Sequence, residues 1–205
     1  MSIDLFLVAD IIGVCAFTIS GFLVGVRKNL DILGVLIASI MTALGGGIIR
    51  DTLALRVPFA FDYSYPALTV IITISLALIF KLHKKGEVQS KRRFIIADAI
   101  GLVSFSITGA IVAIESGFNL FGTVLLSFIT AIGGGMIRDI MINEVPFVLK
   151  SEFYGSISIL VGFSIYMLHY FMFLDEINTM LVAIFFLFMR LFAYFKGLKL
   201  PRLNP

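Results

Sequence analysis

Two arginine–aspartate pairs stand beside glycine triplets. Arg50 and Asp51 close the stretch ALGGGIIRD at 43–51, and Arg138 and Asp139 close AIGGGMIRD at 131–139. Residues of these types can build an ion-pair network or line a polar path. They lack the Lys and Ser/Thr of a phosphate-binding loop, and no nucleophile–base set or metal cluster accompanies them, so an enzyme is not expected. Single-residue chemistry elsewhere is sparse. Cys15 is alone, which excludes an internal disulfide and a Cys-based metal site, and is read as a small buried side chain. His83 and His169 are isolated near the ends of apolar runs and are read as interfacial. No cofactor or metal is expected.

The elements that must position these charges are apolar. Of 205 residues 60% are hydrophobic and 14% charged, and the mean hydropathy is +1.07, which is the composition of a polytopic membrane protein. The net charge of +3 is therefore read as interfacial Lys and Arg rather than as a nucleic-acid surface. MSIDLFLVAD lacks the basic start of a signal peptide and is read as mature sequence.

A helix needs about 20 apolar residues to cross a hydrocarbon core of roughly 30 Å. Seven runs qualify, near 5–26, 32–55, 66–80, 94–114, 120–142, 153–173 and 177–195, the third of them short. Lys and Arg crowd KLHKKGEVQSKRR at 81–93 and recur at Arg27, Lys28, Lys150, Lys196, Lys199 and Arg202, whereas 115–119 and 174–178 carry none. The positive-inside rule then predicts an outside N-terminus and a cytoplasmic C-terminus in the cell (inner) membrane.

Displacing the chain by 88 residues aligns 10–59 with 98–147 without a gap and with 20 of 50 positions identical. Each copy holds three expected spans, an odd number, so the second must be inverted relative to the first. The expected organisation is a first three-helix repeat at 5–82, a basic cytoplasmic linker at 83–93, a second, inverted repeat at 94–173 and a seventh helix at 177–196. Paired glycine-interrupted helices in two inverted halves point to an ion or substrate path.

Gly45, Gly46, Gly47, Gly133, Gly134 and Gly135 admit two readings, close helix packing or a kink whose freed backbone lines a wet cavity. The triplet covers nearly a full turn and precedes a polar pair both times, which favours kinked second and fifth helices. Intramembrane charges are functional candidates by default. Neighbours on a helix diverge, so Arg50 need not pair with Asp51; crossing copies offer it Asp139 or Asp98, and offer Arg138 either Asp51 or Asp10. Snorkelling is the alternative for Arg50, and helix capping for Asp10 and Asp98. Together the two arginines and four aspartates carry a formal −2, which prefers cations. Ser20, Thr42, Thr108 and Thr130 add hydroxyls at matching positions, each able to bond its own helix instead.

The doubled GGGxxRD motif (GGGIIRD at 45–51, GGGMIRD at 133–139), the three-plus-three repeat and the basic-tailed seventh span resemble the prokaryotic TRIC (trimeric intracellular cation) channel family over residues 5–196. The resemblance implies a homotrimer in membrane lipid, with an ion path in each subunit lined by the second and fifth helices with the first and fourth. It also implies conduction of monovalent cations of the potassium type. Related bacterial sequences carry a glycine-transporter label, so a transporter of a small neutral amino acid is the alternative, and a non-conducting structural protein a third.

Overall fold

The computed structural model describes residues 5–84, 87–150 and 153–198; Asp4, Lys199 and Arg202, which entered the reading of the termini, lie outside the described residues. The described chain is all-helical. Its α-helices are α1 (Leu5–Arg27), α2 (Ile32–Leu53), α3 (Phe59–Asp62), α4 (Tyr65–Ile79), α5 (Glu87–Glu115), α6 (Leu120–Met141), α7 (Phe147–Lys150), α8 (Tyr154–Tyr170) and α9 (Glu176–Lys196). Five of them, α1, α2, α5 from Lys91, α6 and α9, are long and apolar enough to cross a membrane. At 15 and 17 residues, α4 and α8 are shorter than the roughly 20 a full crossing takes.

Three departures from the sequence reading have local causes. The two Val-Pro-Phe stretches each open one extra short helix at their Phe, α3 and α7, because proline is well placed at a helix start. The α5 helix begins at Glu87, inside the stretch read as a linker, since residues 87–93 hold neither Gly nor Pro to break it. Cys15 is half-buried rather than buried, and its sulfur accepts the Thr73 hydroxyl at 3.5 Å.

The halves use the same local devices. Asp31 caps α2 by accepting the Gly34 N–H at 2.7 Å, and Asn119, 88 residues on, caps α6 through the Gly122 N–H at 2.9 Å. The turns that precede these caps put Asn29 and Gly117, again 88 apart, in the left-handed region.

Matching elements pack on one another, α1 against α5 and α2 against α6. In the first pair Phe17 and Phe105 meet edge to face with ring centroids 5.1 Å apart. Each ring fills the space over the other half's glycine: a Cβ on Gly13 would lie 2.4 Å from Phe105, and one on Gly101 2.2 Å from Phe17. The contacts are reciprocal.

The second crossing answers the question posed by the glycine triplets. Helix assignment runs unbroken through both, Ile32–Leu53 and Leu120–Met141. A Cβ on Gly46 would come within 2.3 Å of the Thr130 carbonyl oxygen, and one on Gly134 within 2.0 Å of the Thr42 carbonyl oxygen. Backbone touches backbone, and only glycine permits it.

Candidate functional site

Each half ends its glycine helix in a buried ion-pair cluster. Arg50, 0% exposed, binds Asp51 through two contacts, Nε to Oδ1 at 2.7 Å and a terminal nitrogen to Oδ2 at 3.0 Å. It also donates to Asp10 Oδ1 at 3.1 Å and to the Thr108 hydroxyl at 3.2 Å. The carboxylates have further donors: the Phe59 N–H reaches Asp51 Oδ2 at 2.9 Å, and the Tyr65 hydroxyl reaches Asp10 Oδ2 at 3.0 Å. The rings of Phe6 and Phe59 cover the guanidinium at 5.0 and 5.1 Å, a cation–π arrangement that desolvation strengthens.

The second cluster repeats the plan with fewer bonds. Arg138, 1% exposed, donates to Asp139 at 2.8 Å, to the Ser20 hydroxyl at 2.7 Å and, at a longer 3.4 Å, to Asp98 Oδ1. The Phe147 N–H holds Asp139 Oδ2 at 2.7 Å, and Phe94 covers the guanidinium at 5.1 Å. Asp98 Oδ1 also accepts the Ser20 hydroxyl at 3.2 Å, and the Tyr154 hydroxyl lies against the same carboxylate.

This pairing corrects the cross-half partners read from the sequence. Arg50 pairs with Asp51 and Asp10, and Arg138 with Asp139 and Asp98, so every ion pair of the clusters stays within its own half. The reason is reach. An arginine side chain is long enough to fold back onto the next residue once that carboxylate is turned by a fixed N–H, here that of Phe59 or Phe147, eight residues on. The halves are linked instead by hydroxyls, Thr108 to Arg50 and Ser20 to Arg138. Thr42 and Thr130 bond their own helices, to the Ala38 and Leu126 carbonyls, each at 2.6 Å.

Two vestibules lead to these clusters. One, of about 420 Å³, is lined by Phe6, Arg50, Asp51, Arg56, Phe59 and Glu115 among others. The other, of about 310 Å³, is lined by Arg27, Lys28, Lys91, Asp139, Glu144, Phe147 and Lys150 among others. Phe6 and Arg27 stand at opposite ends of α1, and Glu115 and Lys91 at opposite ends of α5, so the vestibules open at opposite ends of the bundle and α1 and α5 run in opposite directions.

Their mouths are charge-reversed. Arg56 pairs with Glu115 at 3.0 Å in the first vestibule. Displacement by 88 turns Arg56 into Glu144 and Glu115 into Arg27, and in the second vestibule Glu144 pairs with Lys28 and, at 3.6 Å, with Lys150. These lysines hold the Glu144 carboxyl below its ordinary range, the Lys28 hydrogen bond being the largest cause.

Sequence reasoning missed several residues. Phe59 and Phe147 belong to the repeated Val-Pro-Phe, but nothing in their type announces that their N–H groups hold carboxylates. Tyr65 and Tyr154 sit beyond the aligned stretch. Arg190, buried in α9, was visible as an intramembrane arginine, and adding it to the earlier charge count changes −2 to −1.

A family profile described as Glycine transporter matches residues 7–82 and 95–170, two segments offset by 88 at both ends. The UPF0126 inner membrane protein YadS of Escherichia coli K12 is 32% identical over 194 residues, covering 94% of this chain and 93% of that one. UPF0126 membrane protein YvgT of Bacillus subtilis is 37% identical over 146 residues, 71% and 72% of the respective chains. Among solved structures, a prokaryotic TRIC channel in 0.5 M KCl superposes with a TM-score of 0.85 at 33% identity, covering 95% of this chain and 98% of that one. The TRIC trimeric intracellular cation channel orthologue from Rhodobacter sphaeroides gives 0.87 at 28% identity, with 96% and 100% covered.

The fold is thus that of a multi-pass helical membrane protein of the TRIC type. The chain belongs to the family described as Glycine transporter, the UPF0126 proteins, and the TRIC resemblance first carried by its GGGxxRD motifs holds across the whole fold.

Proposed function

We propose that the chain is a monovalent cation channel of the potassium type, with one ion path in each subunit of a homotrimer in the cell membrane. The observation that carries this reading is the pair of vestibules at opposite ends of α1, each ending on a buried arginine–carboxylate cluster. The similarity to TRIC cation channel structures supports it. The path runs from the Arg56 vestibule, outside, past Arg50 and Arg138 to the basic vestibule, which faces the cytoplasm by the positive-inside rule. Seven membrane crossings, with α4 and α8 extended by their flanks, form two inverted repeats and a final helix. Opposed α1 and α5, the reciprocal glycine contacts and the 88-residue offset support that organisation.

The α2–α6 crossing at Gly46 and Gly134 closes the path between the vestibules. Opening separates the two backbones, with the triplets as hinges, and exchanges the partners of Arg50 and Arg138. No reacting groups are involved, so the protein acts as a conduit and not as an enzyme.

Purified protein in planar bilayers under a potassium chloride gradient tests the proposal. Discrete current steps reversing near the potassium equilibrium potential are expected, and Asp51→Asn or Asp139→Asn should alter conductance or cation selectivity. Silent bilayers, together with vesicles that accumulate labelled glycine, would instead establish the second reading, a glycine transporter, which the family description favours.

A further inference from the structure

The two vestibule mouths stand at matching places in the two halves, yet their charges are opposite. Displacement by 88 turns Asp62 into Lys150, as well as Arg56 into Glu144 and Glu115 into Arg27, a reversal of sign at every one of these positions. Two further cations, Lys28 and Lys91, belong to the basic mouth alone, since Ser116 and Ile3 hold the matching places. The mouth side chains are exposed, Glu144 half so, whereas Asp51 and Asp139 are buried and matched by their own arginines. Among the described residues the Arg56 vestibule thus presents one cation and two carboxylates, a formal −1, and the basic vestibule four cations and one carboxylate, a formal +3.

Ion pairing does not cancel the difference. Lys28 and Lys150 share Glu144, Arg27 lies over the Phe94 ring at 5.4 Å, and no carboxylate of the described residues pairs with Lys91. The positive-inside rule accounts for cations at one mouth, but it does not call for Asp62 and Glu115 at the other, because acidic residues contribute little to orientation. Fixed charge in a cleft sets the local concentration of mobile ions. The acidic mouth gathers cations and the basic mouth thins them, so the supply of ions at the point of entry differs between the two directions of current. We infer that the channel rectifies: potassium passes more readily from the Arg56–Glu115 mouth to the Lys28–Glu144 mouth than in reverse, and Lys91 is a residue that sets the ratio. The inference rests on the channel reading.

Single-channel currents at equal and opposite voltages in symmetrical potassium chloride test it, read from open channels so that open probability does not enter. One unit charge about 10 Å away in water changes a local ion concentration roughly twofold before screening. At about 0.01 M salt, where the Debye length is about 30 Å, the two directions should therefore differ about fivefold, and at about 1 M, where it is about 3 Å, the ratio should fall close to unity. Lys91→Gln should lower the low-salt ratio by about a third, Lys91→Glu should lower it further, and Arg56→Gln at the other mouth should raise it. Lys91→Cys in a Cys15→Ser background fixes the sides: a positively charged thiol reagent should restore the ratio only when added on the side toward which the larger potassium current runs. Restoration from the opposite side overturns the inference. So do symmetrical currents at low salt, or a ratio that salt and the Lys91 variants leave unchanged, which is the result expected if these charges serve only to orient the chain. A wild type that passes no current fails the channel reading instead.

Discussion

The Arg50 and Arg138 clusters share a plan, an arginine, its following aspartate, a carboxylate from a neighbouring helix and an N–H eight residues on, but differ in how tightly the plan is executed. Arg50 is bidentate to Asp51, and both oxygens of Asp10 have donors. Arg138 makes one bond to Asp139 and a long one to Asp98. Duplication therefore preserved the charges and relaxed the geometry on one side. In a low-dielectric interior each bond to a buried charge counts, so the Arg50 side is the more tightly held of the two.

The comparison breaks most directly at the arginines. Arg50→Gln leaves Asp10 and Asp51 facing each other without a cation and should cost about 3–5 kcal/mol, read as the thermal midpoint of the detergent-solubilised protein. Arg138→Gln should cost visibly less, because Arg138 makes fewer and longer bonds to its carboxylates; equal losses would remove the asymmetry.

The glycines come next and cut across the triplets. Gly46→Ala and Gly134→Ala set a methyl against a backbone carbonyl that cannot swing away, and each should lose stability toward the upper end of about 1–3 kcal/mol. The third glycines differ between halves. A Cβ on Gly47 would lie 2.3 Å from the Phe59 ring, whereas one on Gly135 meets nothing nearer than 3.7 Å. Gly135→Ala should therefore be neutral or stabilise by up to about 1 kcal/mol through helix propensity, while Gly47→Ala destabilises.

Tyr65→Phe sharpens the comparison by removing the hydroxyl donor from Asp10 Oδ2. The expected cost is about 1–2 kcal/mol; unchanged stability would mean that the Tyr65 bond is idle.

The smallest effect belongs to the basic mouth. Glu144 has a lowered carboxyl, so its contribution to stability is present above the ordinary value of 4.5 and is lost as pH falls through the still lower folded value. Wild type should lose a little thermal stability below about pH 4.5 at low salt that Glu144→Gln lacks, and salt should erase the difference because the pair is exposed.

Much of this was legible beforehand. The 88-residue repeat, the membrane class and the importance of Arg50, Asp51, Arg138, Asp139, Asp10 and Asp98 as buried charges follow from residue type and spacing. The glycine triplets were read toward a kink, and their observed contacts are those of close packing, because a sequence shows that a side chain is missing but not what occupies its space. Thr42 and Thr130 turned to their own helices, whereas Ser20 and Thr108 joined the clusters; four hydroxyls at matching positions carry no mark that separates them.

The sequence by itself determined that this chain lives in a bilayer, that it is a doubled unit, and that its scarce charges must find partners, since apolar length and the cost of an unpaired ion act on any fold. Tertiary structure alone decided which partners those are. Arg50 can reach Asp10 only where α1 lies against α2, Arg190 comes to the Tyr154 ring only through the packing of α9 on α8, and two glycines 88 residues apart become one contact only where α2 crosses α6. Distance in space decides an ion pair, and distance along the chain does not encode it.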